Sequence, residues 1–310
     1  MTTVPSHGAR LQPAAASTPP AIPPTVANVA YGPNERHVFD LWRAESAGPS
    51  RLTPLLLFIH GGGFRNGDKQ NVDQTLLGGC LDAGISVASM NYRLSPDVTY
   101  PAQMLDGARA LQFIRSEATQ WGVDPQRVAA SGGSAGGGIS LWLGFRQDLA
   151  DPRSDDPVAR QSTRLTCMAV RNAQSSYDPR FIKQIIAGEA HRSPGLLGLF
   201  GLTPEGGGLS APLETTRLFE DASPINHVSP DAPPVFLTYN QPNEVPPPDL
   251  PSGPGIHHPR FGFVLKERLD ALGVECTVRC KGDPDDLPTE LGFLRRHLHP
   301  NASAARAAQT

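Results

Sequence analysis

Long apolar runs are missing from this sequence. None comes near the roughly 20 consecutive apolar residues that a membrane-spanning helix needs, so we expect no spanning segment. Charge of one sign is also scarce, because 27 basic and 30 acidic side chains leave a formal net charge of −3 at pH 7. Such a balance gives no reason to expect nucleic acid or an anionic membrane as a partner.

Cysteine is sparse as well, with four residues in the chain. Cys276 and Cys280 lie four apart in a strand-like run, so their side chains share a face. Two cysteines in that pattern favour packed thiols over a disulfide or a metal site. We expect neither a metal nor a cofactor.

The N-terminal region lacks a basic stretch followed by an apolar core, so it does not predict a secretory signal. Its Pro/Ala-rich composition predicts a disordered arm over residues 1–30. We expect one main domain over residues 31–300 and a frayed tail over residues 301–310. The default location is cytoplasmic, and a start site placed too late would make the protein secreted.

Proline and glycine are abundant, at 32 and 31 residues, and strand-like and helix-like patterns alternate between them. This alternation predicts a mostly parallel sheet covered by helices on both faces. The apolar run TPLLLFIH, residues 53–60, is typical of a buried central strand. Residues 179–228 form a helical insertion that is either a cap over the site or a long connection.

A serine lies in a G-x-S-x-G frame, formed by Gly132, Ser134 and Gly136, between a strand-like and a helix-like run. The two glycines remove side chains that would clash across a sharp turn, so the Ser134 hydroxyl can stand exposed above the sheet. The start of the following helix places backbone N–H groups, including that of Ala135, beside an oxyanion formed at the serine. The pattern predicts a nucleophilic serine.

The run HGGGF, residues 60–64, directly follows the predicted central strand. Its three glycines allow the backbone to approach a ligand closely and to direct N–H groups at it. Together with Ala135, this loop would provide the two donors that a tetrahedral acyl intermediate needs. A phosphate-binding loop is the alternative, but it requires Lys-Ser or Lys-Thr at a set spacing, and that is absent.

Three segments, LLLFIHGGGFRNGDK, VASMNYRLSPDVTYPAQMLDGARALQFIR and WGVDPQRVAASGGSAGGGIS, together resemble the α/β-hydrolase superfamily. Within it the sequence is similar to carboxylesterases of the hormone-sensitive lipase type and to bacterial feruloyl and acetyl-xylan esterases. The resemblance implies an α/β-hydrolase fold with a small cap and a small-molecule ester as substrate. It also implies Ser134 as nucleophile, with Gly62, Gly63 and Ala135 supplying the N–H groups of an oxyanion hole.

The sequence does not assign the acid of the expected triad to a single residue. In this fold the acid follows the serine and the histidine comes last, and the resemblance puts the acid in the loop after PPVFLTY, where this chain has NQPNEVP. Asn243 cannot carry the charge that stabilises an imidazolium, whereas Glu244 can if the loop turns it inward. Asp249 is a weaker choice, and Asp178, after the preceding strand, is an alternative.

The histidine is missing from its usual loop. KGDPDDLPTELG, after the last predicted strand, contains none. His257 and His258 lie instead in the loop that normally carries the acid, which rims the same end of the sheet as Ser134. Either one is a candidate base. The alternatives for the pair are that they brace the Pro-rich loop or, less favoured because no second ligand cluster accompanies them, that they bind a metal.

Two functions are therefore open. The first is a serine hydrolase of carboxylic esters that works through an acyl-enzyme on Ser134, on a small or medium acyl ester such as an acetyl or aromatic ester of a carbohydrate. The second is a non-catalytic homologue that binds a ligand or partner through the retained pocket. The intact serine and HGGGF loop favour the first, and the vacant histidine loop favours the second. A histidine ring nitrogen within reach of Ser134 Oγ would support the enzyme.

Overall fold

A computed structural model describes residues 21–45, 52–205 and 208–299. Within these residues the chain builds one eight-stranded sheet in the order β1-β2-β4-β3-β5-β6-β7-β8. The strands are β1 (Val26–Ala30), β2 (Val38–Trp42), β3 (Thr53–Ile59), β4 (Ser86–Met90), β5 (Val123–Gly133), β6 (Cys167–Arg171), β7 (Val235–Tyr239) and β8 (Cys276–Cys280).

Helices connect the strands. They are α1 (Gln74–Asp82), α2 (Ala102–Ser116), α3 (Ala118–Trp121), α4 (Ala135–Phe145), α5 (Pro179–Ile185), α6 (Pro194–Gly198), α7 (Leu213–Ala222), α8 (Ser252–Gly255), α9 (Arg260–Ala271) and α10 (Glu290–Leu298). Single 3-10 turns occur at Lys69–Asn71, Ala190–Arg192, Gly208–Ser210 and Pro224–Asn226.

The sheet is parallel from β4 to β8, while β1 and β2 are antiparallel at one edge. All seven residues of β3 are buried, as expected of a central strand covered on both faces. One core contains apolar residues of α2, α4 and α9, and the other contains those of α1 and α10. The predicted mostly parallel sheet with helices on both faces is confirmed.

The boundary of the predicted N-terminal arm is wrong at its end, because residues 26–30 form β1. This strand is short, largely exposed and rich in small residues, so it lacks the apolar alternation that marks a half-buried strand. It is held at the edge by the Asn28 N–H, which donates to Asp40 Oδ1 at 2.7 Å. Residues 1–20 of that arm, and the predicted tail over residues 301–310, lie outside the described residues.

The insertion over residues 179–228 contains α5, α6, α7 and three of the 3-10 turns, in agreement with its helical pattern. Across the described residues no helix is both long enough and apolar enough to cross a membrane. All four cysteines are free and buried. Burial raises the pKa of the Cys276 thiol to about 12, so this thiol has little nucleophilic character at neutral pH.

Candidate active site

Ser134 lies at the turn from β5 into α4, with φ 51° and ψ −119°. A non-glycine residue with such a positive φ is strained, and the surrounding backbone holds it there. A Cβ atom on Gly132 would lie 2.4 Å from the Ile59 carbonyl oxygen, and one on Gly136 would lie 2.0 Å from the same atom. The turn therefore packs its backbone directly against β3, which leaves room for glycine alone at both positions.

His257 lies between α8 and α9, and its Nε2 is 2.8 Å from Ser134 Oγ. The two residues are 123 positions apart in the chain. They meet because the loop after β7 and the turn after β5 leave the same, carboxyl end of the parallel sheet. The candidate nucleophile and the candidate base thus lie within direct hydrogen-bonding distance.

The other ring nitrogen of His257 identifies its tautomer. Nδ1 lies 2.9 Å from the carbonyl oxygen of Gly253. Since a carbonyl oxygen can only accept, Nδ1 carries the proton and donates it. In the neutral ring Nε2 then has a free lone pair, and the Ser134 hydroxyl donates to it. This is the arrangement in which a histidine can remove the serine proton.

Burial of the ring lowers the pKa of His257 below its usual 6.5, and the hydrogen bond to Gly253 partly opposes this shift. The charged form is disfavoured because burial takes the imidazolium away from water. At neutral pH the ring is therefore neutral and can act as a base. The same environment makes protonation of the ring to an imidazolium costly.

His258, the neighbouring histidine, bonds to the backbone of Glu244, the first candidate acid, and to the start of α9. The ring of His258 is buried and accepts a hydrogen bond from the Arg260 N–H at 3.1 Å. It also bonds to the backbone of Glu244. The residue Glu244 is exposed. His258 thus holds the Pro-rich loop to the start of α9, and the structure brings His257 alone of the pair to Ser134.

Asp178, the alternative acid, is occupied elsewhere. It caps α5 by accepting from the Arg180 N–H at 2.9 Å. Its carboxylate also pairs with the Arg180 guanidinium at 2.6 Å. The second partner of the His257 ring is thus the Gly253 carbonyl rather than either candidate carboxylate.

The glycine loop after β3 faces Ser134. Gly62 and Gly63 have φ of 112° and 60°, values that favour glycine. Both residues line one cavity with Ala135, Ser134 and His257. Ala135 is the first residue of α4, so its N–H has no acceptor within the helix. The candidate backbone donors, nucleophile and base therefore line one cavity.

This cavity has a volume of about 300 Å³. Its walls are largely apolar, and Gln174 and Ser193 add polar groups. The insertion supplies Ser193, Gly195 and Leu196. A Cβ atom on Gly195 would lie 2.9 Å from Gly63 Cα, so α6 lies directly against the glycine loop. The apolar walls are formed by Phe64, Tyr177, Leu196 and Ile256.

A larger cavity of about 520 Å³ lies at the ends of β7 and β8, beside the loop where the resemblance places the histidine. Its lining includes Arg279, Lys281 and Glu290. Glu290 is paired with Arg171 at 2.6 Å and accepts from the Ser131 hydroxyl. The carboxylate of Glu290, which lines this cavity, is thus already paired with the Arg171 guanidinium. Among the described residues, no three His, Cys, Asp or Glu side chains gather into a group that could hold a metal ion.

Sequence reasoning missed several members of the site. Gly253 acts through its backbone carbonyl, which leaves no mark in the residue type. Gln174 follows β6, and its position at the carboxyl end of a strand beside β5 was a signal that could have revealed it. Gly195 and Leu196 come from the insertion, whose placement no local pattern predicts.

Comparison with known proteins identifies the family of the chain. A family model described as BD-FAE matches residues 40–249, which is more than half of the chain. The chain belongs to the BD-FAE family. The match runs from within β2 to the loop after β7, and so includes Ser134 and the glycine loop, but it ends before His257.

Two curated relatives of this BD-FAE chain come from Mycobacterium tuberculosis. The probable carboxylic ester hydrolase LipM is 29% identical over 215 residues, which are 69% of this chain and 47% of LipM. Esterase LipQ is 27% identical over 215 residues, which are 69% of this chain and 48% of LipQ. The chain thus spans about half the length of these relatives.

Solved structures share the fold. The acetyl ester-xyloside bifunctional hydrolase of Caldicellulosiruptor lactoaceticus has a TM-score of 0.62 and 20% identity, and the match covers 92% of this chain and 97% of that one. The propionate-bound esterase Est2 of Thermogutta terrifontis has a TM-score of 0.57 and 19% identity, covering 91% and 93%. At these identities the likeness concerns the fold, which is that of the α/β-hydrolases.

Proposed function

We propose that this chain is a serine hydrolase of carboxylic esters that works through an acyl-enzyme on Ser134. The observation that carries the proposal is the 2.8 Å distance from Ser134 Oγ to His257 Nε2. The relatives named esterases and carboxylic ester hydrolases support the reaction class. His257 would replace the base that is missing from the loop after β8.

The reaction begins with proton transfer. His257 Nε2 takes the proton of the Ser134 hydroxyl as Oγ attacks the ester carbonyl carbon, and the carbonyl electrons move onto oxygen. The N–H groups of Gly62, Gly63 and Ala135 stabilise that oxyanion. Protonated His257 then gives its proton to the departing alcohol oxygen. Water, deprotonated by His257, attacks the acyl-enzyme, and the released Ser134 oxygen takes the proton back.

The Gly253 carbonyl takes over one of the two tasks of a triad acid. It holds the ring with Nδ1 protonated, which keeps Nε2 available to Ser134. It cannot match the second task, because a carbonyl dipole stabilises an imidazolium less than a full negative charge does. We therefore expect a working base with a lower turnover than a carboxylate-backed histidine would give.

The size and lining of the cavity support a small acyl group. A volume of about 300 Å³ lies at the lower end of the range for ligand pockets. One neighbour is described as an acetyl ester-xyloside hydrolase and another as propionate-bound. We infer that this chain takes short acyl esters, such as acetyl esters of carbohydrates.

Hydrolysis of p-nitrophenyl acetate by the purified protein tests the proposal. Ser134→Ala should abolish the release of p-nitrophenol, because it removes the nucleophile. A matched control is Ser140→Ala, on the same helix, whose hydroxyl donates to the Gly136 carbonyl at 2.9 Å; this variant should keep its activity. Equal rates for the native protein and Ser134→Ala would overturn the proposal.

Histidine variants in the same assay test the proposed base. His257→Ala should lower kcat/KM by about 10²- to 10⁴-fold, the usual contribution of general-base catalysis. His258→Ala removes the adjacent ring, which bonds to the Arg260 N–H rather than to Ser134, and should leave kcat/KM near native. The reverse result would assign the base to His258.

A non-catalytic homologue is the second candidate, and the carbonyl in place of a carboxylate beside His257 favours it. In that case the native protein would release p-nitrophenol no faster than Ser134→Ala, while a short acyl ester would still bind. Isothermal titration with p-nitrophenyl acetate would detect such binding without turnover.

A further inference from the structure

The segment from Gly253 to His257, called here the base segment, carries both the candidate base and the carbonyl that orients it. Because the ring of His257 is oriented by its own backbone four residues earlier, the ring is only as well placed as that backbone. Whatever holds the base segment therefore determines how the ring meets Ser134.

One side of the base segment is held by Gln174, from the loop after β6. Gln174 is 3% exposed and lines the cavity. Its Nε2 donates to the carbonyl of Ile256, the residue before His257, at 2.7 Å. The same amide nitrogen donates to the Asn172 carbonyl at 3.0 Å. One N–H of this amide thus joins the loop after β6 to the base segment, and the other holds the amide within its own loop.

A second glutamine holds the other end. Gln241, in the loop after β7, donates from Nε2 to the carbonyl of Pro254 at 2.8 Å. Pro254 directly follows Gly253, the orienting residue. Two side-chain amides from neighbouring loops thus bind carbonyls next to Gly253 and next to His257.

We propose that Gln174 and Gln241 are positioning residues for His257, which fix through backbone carbonyls the ring that an acid side chain would hold in a Ser-His-Asp triad. This inference rests on the proposed function. Displacement of a reacting group by about 1 Å can cost about 10²-fold in rate. Gln174, buried and adjacent to His257, carries the larger share.

Gln174→Met tests the buried amide, because methionine keeps a similar length but cannot donate. With p-nitrophenyl acetate, kcat should fall about 10- to 100-fold, while KM stays within about twofold of native because the cavity is retained. The matched control is Ser175→Ala, which removes a buried hydrogen bond of 2.7 Å from Ser175 Oγ to the Phe261 carbonyl. It should lower the melting temperature similarly but leave kcat near native.

Two further readouts separate positioning from general support. In a His257→Ala background, Gln174→Met should cause no additional loss, because it acts through the missing ring. In the otherwise native protein, Gln174→Met should move the midpoint of the acid limb of kcat/KM up toward pH 6.5. A less firmly held His257 ring becomes better hydrated, and its pKa then returns toward the usual value. A full additional loss in the His257→Ala background, or a kcat equal to that of Ser175→Ala, would overturn the inference.

Gln241→Ala keeps the inference testable if Gln174→Met does not fold, because Gln241 is partly exposed. We expect a fall in kcat of about two- to fivefold, in line with one neutral hydrogen bond. An unchanged kcat in Gln241→Ala would then contradict the proposal that the two glutamines position His257. The two proposals fail in different ways. If the proposed function is wrong, the native protein and Ser134→Ala hydrolyse p-nitrophenyl acetate at equal rates. If only this inference is wrong, the native protein and both glutamine variants are active.

Discussion

The imidazole of His257 is subject to two opposing influences on its pKa. Burial favours the neutral ring and the Gly253 carbonyl favours the charged one, and burial is the larger. In a Ser-His-Asp triad a carboxylate would add a strong stabilisation of the charged form. As the proposed base, His257 is therefore neutral down to lower pH but is a weaker proton acceptor.

This balance predicts the pH dependence of hydrolysis. Only neutral His257 can accept the serine proton, so kcat/KM should fall as pH falls through the pKa of the ring. Because that pKa is lowered, we expect the midpoint of the acid limb below pH 6.5 for p-nitrophenyl acetate. The pKa of His258 is lowered as well, so His258→Ala is the control and should keep the native midpoint. A midpoint above 6.5 would contradict this account.

At the scale of secondary structure elements, α6 and the glycine loop after β3 form one wall of the cavity. The backbone of Gly195 lies directly against that of Gly63. This contact makes the position of the proposed oxyanion donors depend on the insertion. A short helix far from Ser134 in sequence thereby forms part of the wall of the candidate site.

Gly195→Ala should disturb this contact. Its Cβ would lie 2.9 Å from Gly63 Cα and 3.0 Å from the Gly63 carbonyl oxygen, so the loop or the helix must move. We expect kcat to fall about tenfold or more, because misplaced oxyanion donors stabilise the transition state less. Gly198→Ala, on the same helix, is the matched control, because its Cβ would meet Arg65 Cδ at an ordinary 3.5 Å. Equal kcat values for the two variants would contradict the coupling.

At the scale of the whole molecule, a buried ion pair joins the sheet edge to the connection before α1. Lys69 Nζ lies 2.7 Å from Asp40 Oδ2, and each side chain is 6% exposed. Asp40 also accepts from the Asn28 N–H of β1. The pair thus ties together β1, β2 and the 3-10 turn at Lys69–Asn71.

Asp40→Ala should therefore be strongly destabilising. It leaves the Lys69 ammonium buried without its counter-charge, and we expect a loss of about 3–5 kcal/mol in the free energy of unfolding, measured with urea. The comparison variant is Asp270→Ala, which removes the partly exposed pair with Lys266 and should cost less than about 1 kcal/mol. A similar loss in both variants would show that burial of the pair is unimportant.

The sequence predicted most of the sheet because its strands carry strong local patterns. Buried parallel strands such as β3 are continuous apolar runs, and helices such as α9 have regular apolar spacing. The sequence did not predict β1, because an exposed edge strand needs no apolar pattern of this kind. Pairing with β2, rather than its own composition, makes it a strand.

The same contrast holds at the site. Ser134 and its glycines are a local motif, since steric limits within a few residues demand that sequence. The base is different, because which of two adjacent histidines faces Ser134 depends on the turn of the backbone after α8. Gly253 could not be predicted at all, because every residue offers a carbonyl and only the folded loop selects one.

The placement of His257 before α9 leaves the connection from β8 to α10 with no part in the proposed chemistry. In this chain the proposed nucleophile, oxyanion donors and base all precede α9. Residues 281–287 are therefore a place to insert an affinity tag or a second domain without touching the proposed site. With His257 as the proposed base, the rim of the sheet between β8 and α10 carries none of the proposed reacting groups.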